Sequence, residues 1–569
     1  MNTRTFFVIL LSMLALLLYM EWQKEQFAPP QTSNPAASTS STQNDIPGSQ
    51  STAQSSPDTS TTPDDLPDLP SMVDQTTNDT ETSAPQMTSS RRIAVSTDVL
   101  SVDIDANGGS LVDLRLKDYP VAVDQPNTPT TLLVEQLPQL YVAQAGLIGA
   151  GVPAPNHTTM WQFDADRYEL AEGQDTIEVP LYWVEDGIEV VATWVFYRGD
   201  YRVDLNLEVI NNSPETWTGA RYVQLQRTEP DFSDAGPAFT NPERFSYNGA
   251  AVFEPGQGFR KFGYGDIRDK PYNNDFADGW AAMVEHYFLA AWIPPNEQVH
   301  RYSTRFVDRN QLPRYVVSAT SPQVSVEPGQ RHQFSAKLYA GPKLQNRLKE
   351  IAPGLELTVD YRWFRVISQP LFWVLDKLHD VFNHWGWSIV ALTLLIKLVF
   401  FKLTEAQFRS MGKMRKLQPR IQQLKERFGD DRQKFGQAMM EIYKKEKVNP
   451  LGGCLPVLVQ IPIFISLYWV LLESVELRQT AFLWVPDLSR PDPYFILPVL
   501  NGIFMIATQR LMPTAGMDPM QAKIMMWLPV VFAFMFALFP AGLVLYWATN
   551  AGVSLAQQWV ILKRIEKEG

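Results

Sequence analysis

The sequence predicts a multi-domain membrane protein: an N-terminal anchor helix, an all-β sandwich outside the membrane, and an α-helical core of five spans that carries a cytoplasmic helical hairpin. Three observations predict it. Five long apolar runs crowd the last third of the 569 residues. A basic stretch separates the first two of those runs. Short alternating strands punctuated by turn residues fill the middle of the chain. The net charge of −12 is an average over segments of opposite sign.

Residues 1–27 hold an apolar run, Phe6 to Tyr19, behind Arg4. No small-x-small cleavage site follows it, which predicts an uncleaved anchor with a cytoplasmic N-terminus. Residues 28–90 are rich in Ser, Thr, Pro, Gln and Asp and nearly empty of large apolar side chains. Such a segment cannot offset its ordering entropy, so a disordered tether is expected.

Residues 91–360 read as the sandwich. Leu100, Val102 and Ile104 alternate, Asn107-Gly108-Gly109 turns, and Val112, Leu114 and Leu116 alternate again. Gly supplies the positive φ such a hairpin turn needs. Val190 to Phe196 is a further strand. Tyr201, Val203, Leu205, Leu207 and Val209 make a five-step alternation. Asn211-Asn212-Ser213 and Asn156-His157-Thr158 match the glycan acceptor pattern, but ordinary turn chemistry explains both.

Residues 361–386 follow as an amphipathic interfacial helix. Phe364, Ile367, Leu371, Leu375, Leu378 and Phe382 form its stripe. The core, residues 387–563, contains the runs Trp387–Leu403, Leu455–Leu472, Tyr494–Met512, Ile524–Phe539 and Leu543–Leu562, and 564–569 form a tail. From Lys402 to Lys447 thirteen Lys and Arg oppose six Asp and Glu. That bias places the loop, and both termini, in the cytoplasm and the sandwich outside. Within 404–447, Met414, Leu417, Ile421, Leu424 and Phe428 keep heptad spacing, and Phe435, Met439 and Tyr443 form a second stripe, predicting an antiparallel hairpin. Its basic exterior suits anionic lipid or ribosomal RNA. Two of the runs are only about 16–17 residues long, roughly 25 Å at 1.5 Å per residue, which predicts a locally thinned bilayer.

One residue stands out. Lys397 lies inside the first run, and a charge there costs about 2.5–3.5 kcal/mol by insertion scales. The other runs contain no Asp or Glu to pair with it. It either reaches the interface along its aliphatic stem or lines a wet cavity that accepts something negative. Thr393 and Thr404 share its helical stripe. Gln460 lies on the next run, Asn501 and Thr508 stand at i, i+7 on the following one, and Tyr546 and Asn550 mark the last, with Thr549 and Ser554 beside them. Such residues also serve as glue between membrane helices. The single cysteine, Cys454, has no intrachain partner for a disulfide, and the six histidines lack ligand spacing, so no metal site is expected.

Several long stretches resemble the bacterial YidC-type membrane protein insertases in their Gram-negative form: GWAAMVEHYFLAAWIP (Gly279–Pro294), VNPLGGCLPVLVQIPIFISLYW (Val448–Trp469), DPMQAKIMMWLPVVFAFMFALFPAGLVLYW (Asp518–Trp547) and the hairpin. The resemblance implies a five-helix core around a hydrophilic groove, open to cytoplasm and lipid but closed outside. It also implies one basic residue that attracts polar or acidic parts of a substrate. Many members carry arginine at that position, and Lys397 matches it here. Thr393 and Trp547 match positions near the substrate path. The β domain is implied to be a mutarotase-like sandwich without enzymatic activity. The implied partners are nascent membrane proteins, the Sec translocon, the ribosome, the signal recognition particle pathway and membrane lipid.

No cofactor is expected, because no G-x-x-x-x-G-K-[ST] phosphate loop is present. A secondary transporter of an anionic solute is the alternative; it would account for the intramembrane charge, but coupled carriers need acids or internal repeats, and neither is found. A membrane-anchored sugar-processing enzyme would leave five polar-striped runs unexplained.

Overall fold

The computed structural model describes residues 92–232, 246–309, 312–428, 431–446, 455–511 and 519–567, all within one compact unit. The expected anchor and tether, and Cys454, lie outside the described residues.

Arg92 to Pro342 form two predominantly antiparallel sheets of eleven and nine strands. The predicted first hairpin is present. Strands Leu100–Asp105 and Ser110–Pro120 pair with Leu100 opposite Leu116 and Val102 opposite Leu114, and Gly108 and Gly109 turn with φ of +102° and +62°. One detail of its face differs from expectation. A register shift between Asp103 and Ile104 sets Leu111 opposite Ile104 in the main core. Val112 packs instead in a separate cluster with Leu140 and Val142. A bulge changes which face successive side chains meet, and simple alternation cannot anticipate it.

The five-step alternation holds. Val203, Leu205, Leu207 and Val209 of strand Arg202–Asn211 are buried and the residues between them are half-exposed. Asn211 is buried. Its amide donates to the Glu215 and Val326 carbonyls and its Oδ1 accepts from Ser213, so its side chain is committed to the turn.

Nine helices among the described residues concern the site: α1 (Arg365–Phe382), α2 (Trp385–Val399), α3 (Phe401–Lys416), α4 (Gln418–Phe428), α5 (Arg432–Lys445), α6 (Leu455–Glu473), α7 (Ile496–Arg510), α8 (Pro519–Phe536) and α9 (Ala541–Lys567). Helix α1 buries Ser368, Phe372 and Leu375 against the protein. Phe382 of the predicted stripe stays exposed, and Val366, Trp373 and Val381 line the outward face. The helix is therefore apolar on two sides. His384 caps α2, its Nδ1 accepting from the Gly386 amide at 3.1 Å.

The first apolar run is not one straight helix. It breaks at Phe400, and α2 and α3 meet at 66°. No single helix among the described residues is long and apolar enough to cross a membrane on its own, but that bent pair is when taken together. The hairpin is α4 against α5, with Leu417 and Ile421 buried on Phe435, Ile442 and Tyr443. Met414 lies in α3, yet its side chain packs on the same Leu417–Ile421 cluster, as its heptad position predicts.

Helix α9 is the hub, packing against α2, α3, α6 and α7. The turn before it is pinned, because the Ala541 and Gly542 amides donate to the Arg490 and Leu488 carbonyls at 2.7 and 2.8 Å.

Candidate substrate groove

Lys397 lies three residues before the break at Phe400, on the face of α2 that meets α9. It is 6% exposed, and its ammonium donates to Ser554 Oγ of α9 at 2.7 Å. Ser554 Oγ in turn donates to the Asn550 carbonyl at 2.8 Å, one turn earlier. Asn550 Oδ1 accepts from Gln460 Nε2 of α6, also at 2.8 Å. Three helices thus share one polar chain, Lys397–Ser554–Asn550–Gln460. The ammonium points inward, not along its stem to an interface.

Beside it is a hollow of about 20 Å³, room for about one water, walled by Lys397, Thr404, Gln460 and apolar side chains from α2, α3 and α6. Among the described residues no carboxylate pairs with Lys397. The one acid of α6, Glu473, is its last residue, buried and held by Lys343 at 3.2 Å. A buried ammonium without a counter-charge carries a desolvation cost of several kcal/mol, which a single hydroxyl offsets only in part.

The other predicted positions divide. Thr393 is buried on the same helix, but its hydroxyl donates back to the Ile389 carbonyl at 2.7 Å, so it is spent on its own helix. Tyr546 is buried close to Gln460, yet its hydroxyl makes no hydrogen bond of good geometry. Trp547 belongs to an aromatic cluster, 5.1 Å from Phe464 and 3.9 Å from Phe536 between ring centres. Asn501 is buried on α7, where its amide donates to Met505 Sδ at 3.6 Å. Thr508 is half-buried on that helix and joins no part of the chain from Lys397. Ser554, which the sequence places only beside the stripe, is the direct partner of Lys397. Its offset of four residues from Asn550 was the available signal.

The sandwich meets the bundle at the end of α6. Lys343 also donates to the Thr358 carbonyl, Ser246 Oγ donates to Glu473 Oε1 at 2.7 Å, and His286 Nε2 donates to the Leu472 carbonyl at 3.0 Å. Burial holds the His286 imidazole down to about 4, so it is neutral with its proton on Nε2. Arg478 and Gln479, just beyond, donate to the Val121 and Pro120 carbonyls.

Comparison with known proteins places this architecture. The family model described as the YidC periplasmic domain matches residues 92–374, and that described as the 60Kd inner membrane protein matches residues 377–568. The chain is therefore a bacterial inner-membrane protein with a periplasmic β domain. It is 48% identical over 497 residues to the membrane protein insertase YidC of Methylococcus capsulatus, covering 87% of this chain and 89% of that one. It is 44% identical to the same protein of Nitrosococcus oceani over 99% of both chains. A solved structure of an active YidC insertase with its first transmembrane domain resolved aligns with 83% of this chain and 92% of that one, at 19% identity and a TM-score of 0.37. The chain belongs to the YidC family of membrane protein insertases, which are not enzymes.

Proposed function

We propose that the polar chain headed by Lys397 is the substrate groove of this insertase. The observation that carries the proposal is an ammonium buried between α2 and α9 with a hydroxyl, and no described carboxylate, as its partner. Such a group gains most from an incoming acidic or polar segment, which supplies the counter-charge the protein withholds. Gln460 and Asn550 offer further hydrogen bonds along the same path. Apolar parts of the substrate then leave for lipid, gaining about 25 cal/mol per Å². For acidic outer segments a membrane potential positive outside assists by about 2.3 kcal/mol per charge per 100 mV.

In this reading the chain has an N-terminal anchor and five core spans, with both termini in the cytoplasm. The first core span is the bent pair α2–α3. At eighteen residues α8 reaches about 27 Å, a little short of a roughly 30 Å hydrocarbon core, which supports local thinning of the bilayer. The basic α4–α5 hairpin faces the cytoplasm and anionic lipid. Nascent chains arrive from the ribosome by the signal recognition particle pathway, and the protein acts alone or with the Sec translocon.

Photocrosslinking of a stalled nascent membrane protein to probes at Thr393, Gln460 and Trp547 tests the path. Crosslinks at Gln460, with none at lipid-facing Phe534, are expected. Equal labelling at all positions would remove the groove from the mechanism.

A further inference from the structure

A second unpaired cation lies far from the groove, inside the sandwich. Strand Trp217–Thr228 directs Trp217, Val223 and Leu225 into the core, and Arg221 lies on the same alternation. Arg221 is 1% exposed, and its Nη1 and Nη2 are closed to solvent without an acceptor among the described residues. Arg227, six residues on, shows what the fold does with a buried guanidinium it intends to neutralise: Glu285 accepts from it at 2.6 Å. Arg221 has no such carboxylate. The titratable groups coupled to it are His300 and Tyr302, both neutral near pH 7. His300 Nδ1 donates to the Gln298 carbonyl at 2.9 Å, and its Nε2 is buried without a partner. Burial pushes the guanidinium down only to about 10, so the charge persists.

Arg221 forms part of the wall of a cavity of about 180 Å³, with Gln298, His332, Gln333 and Ser335 as its other polar lining. Ser321 is also there, but its hydroxyl already accepts from the Arg221 amide and donates to the Pro322 carbonyl. The cavity shares Pro295 and Ser335 with a larger neighbouring cleft of about 370 Å³, which gives it an entry.

We propose that this cavity binds a small oxyanion, a carboxylate or phosphate group, with Arg221 as its counter-charge. The planar fork of arginine matches either group with two parallel hydrogen bonds, and a desolvated site strengthens them. Arg221 is one of the residues lining the cavity, and its terminal nitrogens hold no acceptor that an incoming anion would have to displace. Gln298 and Gln333 supply amide donors at the rim. The cavity has room for a compact anion or one acidic side chain.

The test uses the full chain in lipid nanodiscs. Sodium phosphate and sodium acetate are titrated separately at fixed ionic strength against sodium chloride, and thermal unfolding is followed by tryptophan fluorescence. A saturable rise in Tm with phosphate or acetate, absent with chloride, is expected; which of the two acts identifies the preferred group. Arg221→Gln should weaken that response by about tenfold or more. Ser335→Trp, at an exposed strand position on the cavity wall, should abolish it by filling the space, and decides alone if Arg221→Gln does not fold. Equal shifts with chloride, or an unchanged response in Ser335→Trp, would overturn the proposal.

Discussion

Glu473, the last residue of α6, holds the ammonium of Lys343 at 3.2 Å, and both side chains are at most 2% exposed. Lys343 directly follows the last strand of the sandwich, so this ion pair fastens the periplasmic domain to the end of a bundle helix. Ser246 occupies the other carboxylate oxygen and the Thr358 carbonyl a further ammonium proton, so little of either charge is left unsatisfied.

Breaking that pair from one side should be costly. Glu473→Gln or Lys343→Met leaves the other charge buried alone, for an expected loss of about 3–5 kcal/mol. The double variant Lys343→Met/Glu473→Gln should recover most of it. Thermal unfolding of the four proteins in one detergent completes the cycle, and additive losses would show that the two residues do not act as a pair.

Lys397 is expected to trade stability for function. Lys397→Met removes a desolvated charge, so Tm should stay level or rise, while insertion of substrates with acidic outer segments falls several-fold in depleted cells. Lys397→Arg should retain insertion. Ser554→Ala takes away the ammonium's partner and should destabilise by about 1–3 kcal/mol. A Tm that falls in Lys397→Met would mark the residue as structural.

Two groups at the joint should give opposed pH dependences. The Glu476 carboxyl, with Oε2 closed off from solvent, is raised to about 7 by burial and then by Asp376. The folded state keeps its proton while the unfolded chain loses it, so this group lowers stability as pH rises from about 4.5 to about 7. His286 is held down to about 4, so its contribution is full above about 6.5 and is lost as pH falls toward 4. The two slopes oppose across pH 4.5–6.5. Glu476→Gln should unmask the histidine, giving a Tm that climbs more steeply with pH in that range than in the unmodified protein. A profile unchanged by Glu476→Gln would refute the assignment.

Gly386, in the first turn of α2, leaves no room for a side chain. A Cβ there would come within 2.1 Å of the buried Phe482 ring. Gly386→Ala should cost about 1–3 kcal/mol by overpacking. Adding Phe482→Leu should relieve part of that, read from the same melting curves.

Much of this was legible before any coordinates. The hairpin turn at Gly108-Gly109, the alternation along Val203 to Val209, the heptad residues Leu417 and Ile421, and a lysine inside an apolar run with no acid on the neighbouring runs all follow from local pattern. What failed to show were effects that depend on a second segment. The bulge at Asp103–Ile104 moved Val112 out of the main core. The break at Phe400 bent the first run without a proline or glycine to announce it. Stripe geometry treated Thr393, Asn501 and Thr508 as equals of Gln460, because periodicity gives a direction around a helix but not what stands opposite.

By itself the sequence determined the order of segments, the periods of their apolar residues and the sign of their charges. Those are properties of neighbours along the chain, where backbone geometry is fixed. Only the tertiary structure decided that Ser554 meets Lys397, that Glu473 is claimed by Lys343, and that Arg221 is left without a carboxylate. Pairing of buried charges depends on side chains more than a hundred residues apart arriving within about 3 Å, and no local pattern encodes that.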